Sequence, residues 1–253
     1  MKAIRHIFLL SFILLILILI HCKTNKVKEV HQIHLNKKIT DSIKSDSQII
    51  NFIYPYKKQL DSIMNQPISY ANVDFTKAGY SSNEGNLLAD LVLEYAKKYA
   101  KRNNKPEPDF CLLNSGGIRT IIPKGVVTVE NIFEVSPFEN EMVLLQLDGS
   151  RMKEMFDYLR IEKKGHPLAG IKLIYKKDKL ISAQIEGKDF DPTKKYWVVT
   201  IDYLMNGGDR MNFFMKSDAK EITHLKLRDI LLEQVKNYKV LPDIKDQRLV
   251  FED

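Results

Sequence analysis

Two glycine-rich loops, each directly after a short apolar segment, constrain most strongly how this chain folds. The first is Asn114-Ser-Gly-Gly-Ile-Arg119, which follows the segment 109–113, apolar from Phe110 onward. The second is Asn206-Gly-Gly-Asp209, which comes after the largely apolar segment 196–203. Both apolar segments have the length and composition of a buried strand. Loops held at strand ends by a rigid scaffold are frequent ligand-binding positions, so the pattern predicts a site built from these two loops.

The residue types in both loops suit a small polar ligand. Gly116 and Gly117 permit positive φ and a close approach of the backbone to a ligand. The Asn114 amide donates and accepts hydrogen bonds, and the Arg119 guanidinium is a planar fork that suits phosphate or carboxylate. The Asp209 carboxylate accepts two hydrogen bonds of the kind that a ribose diol offers. Each loop alone is also compatible with a plain hairpin turn.

Helical and strand-like patterns alternate between and around these loops. Residues 49–63 carry one apolar stripe at helical spacing, and Pro55, which suits a first helical turn, indicates where that helix starts. A second helix is expected after an N-cap at Ser82 or Asn83, a brief third helix from Thr128 to about Val135, a fourth after a cap at Ser150, and a fifth over residues 225–238. No βαβ unit repeats. We therefore expect a mixed α/β (α+β) fold in a single domain.

The first 22 residues have the features of an export signal. Lys2 and Arg5 precede an apolar run over residues 7–20, in which Ser11 is the one polar residue, and His21 and Cys22 follow it. An apolar run this short after a basic start predicts a signal peptide rather than a membrane span. Cys22, at the end of the apolar run and before a polar stretch, resembles the cysteine of bacterial lipoprotein signals, whose thiol is lipidated. His21 replaces the small residue usual there, so an uncleaved N-terminal anchor is the alternative.

The chain thus divides into a lipoprotein-type signal peptide (1–21), a flexible tether (22–47) and a folded domain (48–253). The expected location is the bacterial cell envelope, with the domain exported and anchored to a membrane through lipid on Cys22. It would face either the periplasm or the cell surface.

The net charge of +7 does not indicate a nucleic-acid partner. Eight of the 39 basic residues lie before position 46 against only two acidic ones, so residues 46–253 carry a net charge of about +1. Nucleic-acid binding needs a basic stripe on the folded part. Lysines in a tether beside a membrane instead meet anionic lipid headgroups.

Two aromatic residues lie near the loops. Phe138 follows Pro137 between a short predicted helix and the next strand, and Tyr203 lies three residues before the second glycine loop. Two aromatic rings can hold a flat base between them, and each stacking face contributes about 1–3 kcal/mol in single-stranded nucleic-acid complexes. The alternative is that both rings fill the core.

Four segments in this order resemble the C-terminal domain of the 5'-nucleotidases. They are Asn83-Glu-Gly-Asn-Leu-Leu-Ala-Asp90, the first glycine loop, Ser136-Pro-Phe138 with the following Leu145-Gln-Leu-Asp-Gly149, and Asp202-Tyr-Leu-Met-Asn-Gly-Gly-Asp209. The resemblance extends over about residues 48–250. It implies a nucleotide-recognition domain in which Phe138 and Tyr203 stack on the base and Asp209 holds the ribose. The predicted binding residues are Asn114, Gly116, Gly117, Arg119, Phe138, Tyr203, Asn206, Gly208 and Asp209.

The sequence departs from the family before the Gly-Asn-Leu segment. Members that hold the substrate phosphate usually carry arginine there, whereas this chain has Ala78-Gly-Tyr-Ser-Ser82. Arg119 is then nearly alone in facing a phosphate. The ligand is expected to be a nucleoside, or a nucleotide held mainly by its base and sugar.

The catalytic chemistry of the family is not expected in this chain. Family members hydrolyse phosphate esters in a separate metallophosphatase domain, where two metal ions activate water. Beyond the tether only His166 and His224 occur, and neither lies in an Asp-x-His or Gly-Asn-His-Glu motif. No nucleophile elbow or phosphate-binding P-loop is present. We therefore predict no catalytic residue, no metal site and no cofactor here, with divalent metals only in a partner.

These features lead to one main functional hypothesis and two alternatives. The main one is the nucleotide-binding half of a split 5'-nucleotidase, acting with a separately encoded metallophosphatase in nucleotide catabolism. The first alternative is a stand-alone surface lipoprotein that binds a nucleoside or nucleotide without a hydrolytic role. The second is a scaffold lipoprotein whose ancestral site no longer binds a ligand.

Overall fold

Helices and strands alternate along the part of the chain that the structure describes. The structure is a computed structural model, and it describes Thr40 and residues 43–253. The predicted signal peptide and most of the tether lie outside the described residues. Residues Asn51–Asp253 form one compact unit. The α-helices are α1 Ser47–Met64, α2 Asn83–Asn103, α3 Val129–Val135, α4 Gly149–Glu162, α5 Asp202–Met205 and α6 Leu227–Val235.

The strands form three sheets. They are β1 Pro67–Ala71, β2 Phe110–Leu112, β3 Gly125–Thr128, β4 Glu141–Leu147, β5 Leu168–Ala169, β6 Ile171–Lys176, β7 Lys179–Ile185, β8 Lys188–Asp189, β9 Tyr196–Ile201, β10 Ala219–Lys226 and β11 Leu249–Glu252. A five-stranded sheet has the order β10-β4-β9-β2-β5, a four-stranded sheet has the order β11-β6-β7-β8, and β1 pairs with β3. The predicted mixed α/β fold is thereby confirmed.

The five-stranded sheet forms the centre of the core. The apolar side chains of β4 from Met142 to Leu145 are all fully buried, as are those of β2. Helix α2 packs against β2, β5 and β9, and it also contacts α6. β2 and β9 are parallel neighbours, with Cys111 opposite Val199, whereas β4 runs antiparallel to β9. This mixed pairing determines which loops meet at each edge of the sheet.

Local chemistry explains where the helices begin. Ser82, one of the two predicted N-caps, caps α2, because its hydroxyl accepts a hydrogen bond from the Gly85 amide at 3.0 Å. For α4 the cap is Asp148 and not Ser150, since the Asp148 carboxylate accepts the Arg151 amide at 2.8 Å. Aspartate and serine both accept hydrogen bonds from free amides at helix starts. Because Asp148 lies two residues before Ser150, the helix begins two residues earlier than predicted.

Three predicted boundaries need correction. Helix α1 runs through Pro55 instead of starting there. The strand expected to reach Tyr203 ends at Ile201, and Tyr203 lies on the short helix α5. The helix expected from residue 225 starts at Leu227, because Ala219–Lys226 form the unpredicted edge strand β10. Half-buried and exposed residues alternate along β10, as expected of a strand with one face on the core, but the half-buried positions include Glu221 and Thr223, so no apolar alternation marks this strand in the sequence.

Helix α1 leaves its apolar stripe in solvent. Its residues include no buried side chain. The stripe residues Ile53, Tyr56, Leu60 and Ile63 are each about half exposed or more, between 46% and 66%. A contiguous exposed apolar patch commonly marks an interaction site, whereas apolar residues exposed singly do not. No helix among the residues that the structure describes is both long and apolar enough to cross a membrane.

One buried carboxyl in α2 is expected to make stability depend on pH. Glu84 is fully buried. Burial raises the pKa of its carboxyl from 4.5 to about 8, against the opposing effect of Lys77. An acid whose pKa is raised on folding is protonated when folded but ionised when unfolded, so stability falls as pH rises through this interval.

We therefore expect Glu84→Gln to exceed the stability of the parent chain by about 1 kcal/mol at pH 5 and by about 3 kcal/mol at pH 7. Glutamine is the suitable substitute because it has nearly the shape of the protonated acid. Urea denaturation at both pH values measures the difference in the free energy of unfolding. A difference that stays constant with pH would contradict the expectation.

Candidate ligand-binding site

Strand directions bring three separate segments to one edge of the five-stranded sheet. Because β2 and β9 are parallel, the two glycine loops that follow them emerge at the same edge. Because β4 is antiparallel to β9, with Met142 opposite Ile201, the segment 136–140 that precedes β4 starts from that edge as well. Ligands bind characteristically outside the carboxyl ends of parallel strands.

A hydrogen bond links the two glycine loops directly. The Asn114 amide nitrogen donates to the Asp209 carboxylate at 2.7 Å, across 95 residues of sequence. The other carboxylate oxygen accepts the Tyr203 hydroxyl at 3.0 Å. The Tyr158 hydroxyl of α4 donates to the Asp209 backbone carbonyl at 2.8 Å. Asp209 itself has a φ of 50°, a left-handed conformation that aspartate tolerates better than most residues do.

These residues surround one open cavity of about 360 Å³, at the lower end of the range for small-molecule sites. It is lined by Asn114, Gly116, Gly117, Arg119, Phe138, Asn140, Tyr203 and Asp209. Seven of the nine sequence-predicted residues therefore lie around the same space, although their roles toward a ligand stay predictions. Asn140 was missed, and its only sequence signal is its position just after Phe138.

Asn206 and Gly208 are not among the cavity-lining residues. Asn206 borders a different depression, beside Met215. At Gly208 an added Cβ would come within 2.5 Å of the Tyr203 ring, which is closer than real Cβ atoms approach. Gly208 therefore makes room for the aromatic ring, and its contribution to the site is indirect.

Both aromatic side chains present open ring surface. Phe138 is 43% exposed and Tyr203 is 45% exposed, so the alternative that they fill the core is wrong. The Arg119 guanidinium carbon lies 5.8 Å from the centre of the Phe138 ring. Arg119 is also the only lysine or arginine among the described residues that line the cavity. The cavity thus combines two aromatic surfaces with one carboxylate and one guanidinium.

A buried histidine holds the first glycine loop through a hydrogen bond to its backbone. His166 is 3% exposed, and its Nδ1 accepts the Ser115 backbone N–H at 3.2 Å. Burial lowers the pKa of His166 from 6.5 to about 4, against the opposing effect of Asp209. The ring is accordingly neutral at physiological pH, which leaves Nδ1 free to accept. Sequence motifs gave no signal for this role, because His166 lies 51 residues from Ser115.

The low pKa of His166 predicts acid sensitivity. A base whose pKa is lowered on folding takes up its proton more readily when unfolded, so stability is lost as pH falls through the interval between the two pKa values. We expect the free energy of unfolding to drop by about 2 kcal/mol more in the parent chain than in His166→Gln between pH 7 and pH 5. Chemical denaturation at the two pH values measures this, and parallel losses would refute it.

The donor set of the cavity does not fit a catalytic metal centre. Among the residues that the structure describes, no group of three or more histidine, cysteine, aspartate or glutamate side chains lies close enough to hold a metal ion. The cavity lining offers a single carboxylate, Asp209, which is already hydrogen-bonded through both oxygens. A two-metal hydrolytic site needs several such ligands.

The fold is a mixed α/β domain, and one open cavity lies where its two glycine loops meet. The sequence profile of the 5'-nucleotidase C-terminal domain matches residues 66–216, more than half of the chain. The chain belongs to the 5'-nucleotidase C-terminal domain family. The predicted family and fold are thereby confirmed.

Several longer proteins are similar to this chain. UshA of Escherichia coli is 27% identical over 182 residues, which cover 67% of this chain and 31% of that protein. The 5'-nucleotidase of Bos taurus is 24% identical over 240 residues, covering 84% and 42%. The 5'-nucleotidase precursor of Thermus thermophilus has a TM-score of 0.69 at 22% identity, covering 80% and 43%, and shows the shared fold. The chain spans only about a third to two fifths of these relatives.

Proposed function

We propose that the cavity binds a nucleoside or nucleotide, with the base between Phe138 and Tyr203 and the ribose hydroxyls on Asp209. The observation that carries this proposal is the meeting of two open aromatic surfaces and one carboxylate around a single cavity. Aromatic rings stack on any base, and a carboxylate accepts both hydroxyls of a diol. The Asn114 amide and the glycine backbone are available to the remaining polar groups of the ligand.

The chain would supply the recognition half of a 5'-nucleotidase, and a separately encoded metallophosphatase would supply the metal ions and cleave the phosphate ester. Three observations support this division. The longer relatives carry the name 5'-nucleotidase, the cavity lacks a metal donor set, and the exposed stripe of α1 offers an apolar surface to a partner protein.

Mixing tests the division of labour. The full chain alone should release no phosphate from AMP with Mn²⁺ or Zn²⁺, whereas activity should appear on adding an exported metallophosphatase that lacks its own C-terminal domain. Ile53→Asp in the α1 stripe should weaken that gain, and Lys58→Asp on the opposite face is the control. Hydrolysis by the isolated chain that disappears in Arg119→Ala would overturn the proposed division.

A stand-alone nucleoside-binding lipoprotein is the second candidate. Its supporting observation is that Arg119 is the one basic side chain among the described residues at the cavity. Phosphate recognition commonly uses several cationic or backbone donors. Calorimetry separates the two candidates: equal affinity for adenosine and AMP favours the nucleoside binder, and a clear preference for AMP favours the nucleotidase half. If neither adenosine nor AMP gives a binding signal, the remaining alternative is favoured, a scaffold lipoprotein whose site no longer binds a ligand.

We also propose that the domain is exported and tethered to a bacterial membrane through lipid on Cys22. The support comes from the basic start, the apolar run and the cysteine at its end. Labelling of growing cells with a clickable fatty acid tests it. The label should appear on the parent chain and be absent from Cys22→Ser.

A further inference from the structure

The segment that carries Phe138 is held from outside the cavity by one short basic stretch. Residues 136–140 lie between α3 and β4 and belong to no helix or strand. Phe138 and its two neighbours, Pro137 and Glu139, are all exposed. An exposed irregular segment is ordinarily among the more mobile parts of a protein. A ring in such a segment stacks on a base at low entropic cost only when its position is fixed beforehand.

Arg228 contacts the chain on both sides of Phe138. One guanidinium nitrogen donates to the Pro137 carbonyl at 3.3 Å, and another donates to the Glu139 carboxylate. The guanidinium carbon lies 4.3 Å from the centre of the Phe133 ring on α3, which orients its plane. Arg228 is only 9% exposed. A planar guanidinium can make these contacts together, whereas a lysine ammonium is a single point charge.

The two residues before Arg228 complete the attachment. The Leu227 amide donates to the Asn140 carbonyl at 2.8 Å, and Lys226 donates to the second oxygen of Glu139. Hydrogen bonds from Lys226 and Arg228 hold the pKa of the Glu139 carboxyl below its usual range. Residues 226–228 are the junction between β10 and α6, both of which contact the central part of the fold. The segment is therefore tied to rigid elements at three of its five residues.

We propose that Arg228 is a positioning residue that fixes the Phe138 ring at the cavity for stacking on a base. Arg228 itself does not line the cavity, so its effect on a ligand would pass through Phe138. This inference rests on the proposed nucleoside-binding function. It adds to the recognition of the base a residue that lies 91 positions from Pro137 in the sequence.

Calorimetry with two probe ligands tests the inference on the full chain. Adenosine contains the base, whereas ribose 5-phosphate contains the sugar and phosphate without it. We expect Arg228→Met to weaken adenosine binding about 10-fold, the equivalent of one good contact, and to leave ribose 5-phosphate within about twofold. Arg228→Lys keeps one charge but cannot span both partners, so it should fall between the parent and Arg228→Met. Arg160→Ala is the matched control, because Arg160 pairs with Asp157 away from the cavity.

A double-mutant cycle separates positioning from general stability. In a Phe138→Ala background, Arg228→Met should cause no further loss of adenosine affinity, because the ring that it positions is gone. An equal loss in both backgrounds, or an equal loss of both ligands, would overturn the inference.

A ligand-independent measurement keeps the two proposals distinguishable. With 4-fluorophenylalanine placed at position 138, the ¹⁹F resonance should be single and narrow in the parent and broadened or shifted in Arg228→Met. If the parent bound neither probe ligand but the resonance still broadened or shifted in Arg228→Met, the proposed function would fail while the positioning role stood. An unchanged resonance would refute the positioning role whatever the ligand results.

Discussion

Replacing Arg248 with methionine should lower the free energy of unfolding by about 2–3 kcal/mol, less than for a fully buried ion pair because the Asp90 side chain is 36% exposed. Arg248 is 8% exposed and grips both Asp90 carboxylate oxygens at 2.8 Å. Its guanidinium also donates to the backbone carbonyls of Leu168 and Asn86 and to Asp246. The methionine leaves all these acceptors without their donor. Urea denaturation at pH 7 measures the loss.

A second variant removes the charge of the Asp90 carboxylate, which Arg248→Met leaves without its partner. Burial raises the pKa of Asp90, and the Arg248 hydrogen bonds counteract that rise. Adding Asp90→Asn to Arg248→Met should therefore recover part of the lost stability. Arg160→Ala, which breaks a surface pair with Asp157, should cost no more than about 1 kcal/mol. A cost below about 1 kcal/mol for Arg248→Met as well would show that the buried network contributes little.

Replacing Asp209 with asparagine should weaken adenosine binding by about 10- to 100-fold. Asparagine keeps one accepting oxygen, so one of the two sugar hydroxyls would lose its charged acceptor, and a hydrogen bond to a charged group contributes about 1.5–3 kcal/mol. Asparagine is the suitable substitute because it tolerates the φ of 50° at this position. Alanine would add backbone strain to the effect. Calorimetry with the purified full chain provides the measurement.

A sugar analogue isolates the contact that this prediction concerns. 2',3'-Dideoxyadenosine lacks both hydroxyls, so the parent chain and Asp209→Asn should bind it with similar affinity. Asp157→Asn changes an exposed carboxylate outside the cavity, and it should leave adenosine affinity unchanged. If Asp209→Asn weakened both ligands equally, Asp209 would act by holding the loops together, through Asn114 and Tyr203, and not by binding the sugar.

Local sequence signals were enough to predict most of the residues that line the cavity. The two strand-loop junctions were predictable because apolar stretches and glycine pairs are contiguous in sequence. Phe138 was predictable as an aromatic residue in a loop without core periodicity, and its 43% exposure agrees with that reasoning. Ser82 as the cap of α2 follows from the same kind of local chemistry. These features depend on neighbours within a few residues.

The supporting residues could not be found in this way. His166 accepts a backbone N–H from Ser115, 51 residues away. Arg228 contacts Pro137 across 91 residues, and Arg248 contacts Asp90 across 158. Such pairs form only after the sheet order is fixed, and the order β10-β4-β9-β2-β5 is not contained in any local pattern. A charged residue in a sequence carries no mark of whether it will be buried with a partner.

If the cavity binds a nucleoside as proposed, the hydrogen bonds that Asp209 accepts from Asn114 and Tyr203 bear on the rate of binding. Both glycine loops are cross-linked before any ligand arrives, so much of the ordering cost is already met in the free protein. Association then needs no slow closing step, and the observed rate should rise in proportion to ligand concentration without reaching a plateau. The same bonds compete with the incoming sugar hydroxyls. Each new contact therefore replaces an old one, and dissociation should be fast enough for rapid exchange of ligand.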